Sequence, residues 1–128
     1  MRPALCTLQN SLNSTRQWNM FSIQALPPTR SINWQNNMSG FGGMLTFALK
    51  GGLPAVEKFI ARIKLFVLAD SLGGVESLIA SPAKMTLGPL SDEEKRRRKC
   101  TDNLVRLSIG LENAGDLEAD LQNALSEG

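Results

Sequence analysis

Residues 42–49, GGMLTFAL, are a short apolar run set between glycines, and together with the segment after them they limit the architecture more than any other feature. Gly51-Gly52 break the run. Leu53, Val56, Phe59, Ile60 and Ile63 then recur at three- and four-residue spacing, with Glu57, Lys58 and Arg62 off that stripe. A buried strand passing straight into an amphipathic helix of about three turns starts an α/β layer. Pro54 is expected at the first helical position, where its fixed φ and missing N–H cost nothing.

The alternation continues downstream. LFVLA (65–69) reads as a second buried strand, closed by Ser71-Leu72-Gly73-Gly74, and residues 76–79 as a short third one. Ser91 with Glu94 three residues on predicts a capping box that opens a highly charged helix running to about Lys99. NLVRLSI (103–109) alternates and is β-branched at Val105 and Ile109, which predicts a strand ending at Gly110. Asn113 is placed to cap a last helix with Asp116 in its first turn and Leu117, Leu121, Ala124 and Leu125 on one face. Strand–helix–strand–strand–helix–strand–helix predicts a small α/β sandwich with helices on one side of a sheet.

Upstream of Met38 the text is different. Residues 1–37 contain no acid, carry only Arg2, Arg16 and Arg30 as charges, and are rich in Asn, Gln, Ser and Thr around a Pro27-Pro28 pair. Such a segment buries too little to offset its ordering entropy, so a loosely structured lead is expected, with one short helical piece around residues 18–23. A mitochondrial transit peptide shares the acid-free, Arg- and Ser-containing character, but Leu5, Leu8 and Leu12 give only one weak stripe. Disorder, or a divergent replacement of a normal sequence, matches the composition better.

The whole chain, 128 residues with 42% hydrophobic and 20% charged, suits one globular domain. No stretch of about 18 apolar residues exists, which excludes a membrane-spanning helix. Net charge +2 is too near balance to imply a nucleic-acid or anionic-membrane partner. Cys6 and Cys100 form no CxxC pair, and there is no histidine, so zinc binding and histidine general-base chemistry are not expected.

Four motifs have a sharp and a plain reading. Lys95-Arg96-Arg97-Arg98-Lys99 spells a basic patch, yet Asp92, Glu93 and Glu94 stand four residues before the arginines, in the orientation of helical ion pairs. No aromatic residue lies nearby to stack on a base, which favours a solvated helix face over nucleic acid. Ser81-Pro82-Ala83-Lys84 has the S-x-x-K spelling of acyl-serine enzymes without their supporting elements. Gly40, Gly42 and Gly43 echo a phosphate loop but precede a strand, where no helix N-terminus meets the phosphate. Arg106 stands inside an apolar strand, on the face opposite Val105 and Leu107. It is either surface-facing or ion-paired with Glu76 or Asp70, or else it is a carboxylate clamp using its planar fork.

MSGFGGMLTFALKGG (38–52), KLFVLADSLGGVESLIASPAKMT (64–86) and TDNLVRLSIGLENAGDLEADLQNAL (101–125), in this order and spacing, resemble the C-terminal domain of the trans-sulfuration enzymes that depend on pyridoxal phosphate (PLP). These are the cystathionine γ-lyases and γ-synthases, cystathionine β-lyases and methionine γ-lyases, the first two being nearest. The resemblance implies a mainly antiparallel sheet with helices on one side, the C-terminal domain of a fold-type I PLP enzyme, over residues 38–128. It implies that Arg106 binds the substrate's α-carboxylate, helped by Ser71 and the backbone N–H of Leu72. Asp70 would pair with the distal ammonium of a cystathionine-like substrate, a charge methionine lacks.

Leu87 stands where the family's Met-Thr-His would place histidine, and residues 1–37 match the family only in an echo at Leu26-Pro27. None of the six lysines matches the family's Schiff-base lysine, and no segment offers its phosphate cradle. The resemblance therefore implies a fragment that contributes no catalytic residue and does not hold PLP covalently by itself. Its implied setting is cytoplasmic, with a sulfur amino acid as substrate, a large PLP domain as partner and a homotetramer as assembly. The alternative is a non-catalytic module that associates with a full-length relative.

Overall fold

A computed structural model describes residues 18–19, 43–98 and 100–126. Among the described residues eight elements succeed one another in chain order: β1 (Trp18–Asn19), β2 (Met44–Leu49), α1 (Gly52–Arg62), β3 (Val67–Leu68), β4 (Leu78–Ala80), α2 (Asp92–Arg97), β5 (Leu104–Ser108) and α3 (Ala114–Ser126). The strands make one sheet in the order β1-β2-β5-β4-β3. All pairs are antiparallel except β3 with β4. The expected α/β sandwich with a mainly antiparallel sheet is the observed architecture.

Alternation divides the sheet into two faces. Leu45, Phe47, Leu49, Ile79, Val105, Leu107 and Ile109 form one face and pack on Val56 and Phe59 of α1 and on Leu117, Leu121, Ala124 and Leu125 of α3. Phe47 and Phe59 meet edge to face, centroids 5.9 Å apart at 83°, an arrangement that adds to their burial. The opposite face carries Thr46, Ala80, Arg106 and Ser108, so β5 turns its polar side chains away from the helical layer. Asp120, buried on α3, accepts from the N–H groups of Lys64 (3.0 Å) and Leu65 (2.8 Å) and ties the exit of α1 to the last helix.

Several expectations shift. Trp18 and Asn19 are not helical: they pair with Leu49 and Ala48 at the free edge of β2, where open backbone groups need a partner. The rest of residues 18–23 lies outside the described residues, as does nearly all of the expected lead at 1–37. The helix after β2 starts at Gly52, so Pro54 is its third residue rather than its first; proline is tolerated there because every N–H of the first turn lacks an intrahelical acceptor. The 65–69 segment is not a buried strand. Only Val67–Leu68 pairs, at the sheet edge, with Val67 47% and Leu68 53% exposed and Phe66 alone reaching the core. An apolar run does not reveal whether both its faces are covered. The third strand is displaced to Leu78–Ala80, and β5 is one residue shorter than expected at each end.

The capping predictions hold. Ser91 Oγ accepts from the Glu94 N–H while the Glu94 carboxylate accepts from the Ser91 N–H, opening α2. Asn113 Oδ1 accepts from Gly115 N–H at 2.8 Å at the start of α3. The α2 helix has no buried residue. Arg97 pairs with Glu93 at 3.6 Å and Arg96 Nε donates to the Asp92 carbonyl, as a solvated helix would have it.

Candidate carboxylate-binding site

The central strand β5 sets the site. In register with Arg106 stand Thr46 on β2 and Ala80 on β4, two small side chains that leave room for a guanidinium across the non-helical face. The Arg106 side chain is 18% exposed. Its Nη2 donates to the Ser71 carbonyl at 3.1 Å and lies 3.5 Å from Asp70 Oδ1. The ion-pair partner is therefore Asp70 and not Glu76. At 3.5 Å this contact is long for a hydrogen bond, and Asp70 is itself 42% exposed, so it does not saturate the fork. No described residue accepts from Arg106 Nε or Nη1.

Asp70 is held from a second side, where Thr86 Oγ1 donates to its Oδ1 at 2.5 Å. Beyond Asp70 the chain runs exposed from Ser71 through Glu76. Gly73 sits at φ 75°, a left-handed conformation that glycine adopts without a steric cost and that turns the chain back toward β5. Gly73 N–H donates to Ser108 Oγ at 2.9 Å, and Leu111 N–H donates to the Val75 carbonyl at 2.9 Å. At the far end Glu112 accepts from both Ser77 N–H and Ser77 Oγ, each at 2.7 Å, while Ser77 Oγ accepts from Gly110 N–H at 2.9 Å. A Cβ at Gly110 would lie 2.3 Å from the Val75 carbonyl oxygen, so only glycine permits the two loops to approach this closely. Burial pushes the Glu112 carboxyl up, but its bonds to the Ser77 amide and hydroxyl outweigh that and hold it below the ordinary glutamate range.

Asp70, Ser71, Leu72 and Arg106 thus share one side of the sheet. No described residue takes up the Ser71 hydroxyl or the Leu72 N–H, and Leu72 is 60% exposed. A planar cation beside a free hydroxyl and a free amide is the donor set a carboxylate takes. Thr86, Ser108, Ser77 and Glu112 were not anticipated. A signal for Ser108 existed, since a residue two positions from Arg106 on a strand shares its face; the partners of Ser77 and Glu112 lie 35 residues apart in sequence and leave no local trace.

The other motifs do not join this site. Lys84 pairs with Glu57 on α1 rather than activating Ser81, whose buried Oγ has no partner among the described residues. Among those residues no group of acids and cysteines is arranged to hold a metal. Lys50 and Lys58 line a cavity of about 430 Å³ with Leu49, Phe59 and Leu125. That cavity opens on the helical side of the sheet, away from Arg106. Lys50 and Lys58 therefore share no site with Arg106. No described helix is long and apolar enough to cross a membrane.

The profile of the Cys/Met metabolism PLP-dependent enzymes matches residues 24–126, beginning upstream of the expected domain start and taking in the Leu26-Pro27 echo. The cystathionine γ-lyase of Dictyostelium discoideum is 45% identical over 93 residues, 73% of this chain and 24% of that protein. The L-methionine γ-lyase of Fusobacterium nucleatum subsp. polymorphum is 46% identical over 93 residues, with the same coverage. Among solved structures, cystathionine γ-synthase from Xanthomonas oryzae pv. oryzae, in complex with aminoacrylate and cysteine, superposes with a TM-score of 0.85 at 37% identity, covering 98% of this chain and 33% of that one. The chain spans about a quarter of the length of the curated relatives it matches. With its profile match, its identity to these enzymes and its superposed fold, this chain belongs to the Cys/Met metabolism PLP-dependent enzyme family.

Proposed function

We propose that this chain is the substrate-carboxylate-binding domain of a PLP-dependent enzyme that makes or cleaves the carbon–sulfur bond of a cystathionine-like amino acid, as a lyase or a γ-synthase. The observation that carries the reading is the Arg106 guanidinium, mostly enclosed and fixed by the Ser71 carbonyl, beside a hydroxyl and an amide that no described residue takes up. Arg106 would take the α-carboxylate through two parallel hydrogen bonds, with Ser71 Oγ and Leu72 N–H completing the pocket. This is positioning: it sets where the substrate amine lies, and the bond chemistry belongs to PLP held by another part of the enzyme.

Asp70 has two tasks in this proposal. Without substrate it lies beside Arg106 under the hold of Thr86; with substrate it faces the distal ammonium. The partner is the family's large cofactor domain, within a homotetramer. Leu65, Val67, Leu68, Leu72 and Val75, all exposed and clustered in sequence around the β3 edge, supply apolar surface suited to that contact. The same surface serves the alternative, a non-catalytic module docked on a full-length relative. The domain proper is taken as residues 38–128, and a cytoplasmic setting belongs to the same proposal.

A chimera tests it. The Dictyostelium enzyme with its C-terminal quarter replaced by residues 38–128 should process cystathionine, and Arg106→Ala in that chimera should lose most of the activity. An assembled, PLP-loaded chimera that is inactive would refute the catalytic reading and leave the docking module.

A further inference from the structure

The non-helical face of β5 does more than carry Arg106. Moving outward along the strand and the turn after it, Arg106 holds the Ser71 carbonyl, Ser108 holds the Gly73 N–H, Leu111 holds the Val75 carbonyl, and Gly110 and Glu112 hold Ser77. Ser71 and Gly73 are thus tied to β5, and Val75 and Ser77 to the turn that follows it, so residues 71–77 are laced to the strand that presents the guanidinium and to its exit. Two of these ties bracket the turn that offers the Ser71 hydroxyl and the Leu72 N–H. One belongs to Arg106 itself. The other is Ser108 Oγ, 3% exposed, set between Met44 and Leu78 in the sheet.

We propose that Ser108 is a positioning residue for carboxylate recognition: by accepting from Gly73 N–H it fixes the Ser71-Leu72 turn whose first carbonyl Arg106 already holds. The inference rests on the carboxylate reading above and adds a residue to it. Gly73 lies in an exposed loop, so in a Ser108→Ala variant the loop can turn this N–H to water and the fold loses little. What is lost is the restriction on a glycine turn, which then samples conformations that carry the Leu72 N–H away from the guanidinium. Folding and recognition therefore separate at this residue.

The test uses the full 128-residue chain with L-cystathionine as probe, followed by amide and arginine Nε–H shifts in NMR. Three measurements are made on each variant: probe affinity, exchange of the Gly73 amide, and thermal midpoint. For Ser108→Ala we expect faster Gly73 exchange, affinity weaker by about three- to tenfold, and a midpoint within about 3 °C of wild type. Ser108→Thr keeps the oxygen and should restore both exchange and affinity. Wild-type affinity in Ser108→Ala would overturn the positioning role alone. Loss of affinity accompanied by a fallen midpoint would make Ser108 structural and overturn it as well. A wild-type chain with no probe-induced shift at Arg106 or Leu72, its Gly73 amide still protected, would remove the carboxylate reading and the positioning role with it.

Discussion

Replacing Arg106 by lysine keeps the charge and removes the fork. In the structure the guanidinium gives one Nη2 proton to the Ser71 carbonyl, and the other Nη2 proton stands beside its neighbour on Nε or Nη1 as the parallel pair for a ligand. Lysine offers a point charge that cannot bridge both carboxylate oxygens in parallel. Losing one charge-assisted hydrogen bond costs about 1.5–3 kcal/mol, or roughly ten- to a hundredfold in kcat/KM. The effect on folding is of another size. The Arg106–Asp70 pair is 3.5 Å long with Asp70 42% exposed, so solvent screening leaves it about 0–1 kcal/mol. Steady-state kinetics on the chimeric enzyme and thermal unfolding of the chain separate the two. The expected result is a tenfold or greater fall in kcat/KM with a nearly unchanged midpoint. Normal kcat/KM with a lowered midpoint would refute the reasoning and make Arg106 a structural ion-pair member.

Three further outcomes are expected from the same geometry. The Glu112 carboxyl titrates lower in the folded chain than in the unfolded one, so the stability it contributes is complete above the ordinary glutamate value of about 4.3 and is lost as pH falls through the folded value. Glu112→Gln should flatten that acid limb in unfolding midpoints measured across pH, and an unchanged limb would count against the Ser77 staple. Burial, then Asp102, raises the Cys100 thiol above its ordinary range, and the side chain is only 8% exposed. Iodoacetamide should therefore label Cys100 far more slowly than an unfolded control at neutral pH, with equal rates contradicting the burial. Borohydride reduction of the isolated chain with PLP should trap no stoichiometric cofactor–lysine adduct at a defined position; one such adduct would overturn the assignment of the cofactor to another part of the enzyme.

The parts legible in the sequence were those fixed locally. The capping box at Ser91 and Glu94 and the Asn113 cap are encoded within three residues, and both formed as expected. The stripe of Val56 and Phe59 and the alternation of Val105 and Leu107 identified the core faces because period alone determines them. Burial across a sheet edge is not local. Val67 and Leu68 look like core residues in sequence, and only their place as the last strand leaves them exposed. The site divides in the same way. Arg106 was conspicuous as a lone cation in an apolar strand, and its choice of Asp70 over Glu76 became visible only through the return of residues 70–77 along β5. Thr86 and Glu112 act through partners 16 and 35 residues away, and no periodicity marks such a contact.

The most direct measurement of the central claim is a double-mutant cycle between Arg106 and the substrate carboxylate in the chimeric enzyme. L-cystathionine and its α-carboxamide analogue are compared on the wild-type domain and on Arg106→Ala. If Arg106 holds the α-carboxylate, the amide should cost the wild-type domain roughly ten- to a hundredfold in kcat/KM and cost the alanine variant little. An equal penalty for both forms would mean that the carboxylate is recognised elsewhere, and the assignment of this domain as the carboxylate clamp would fall.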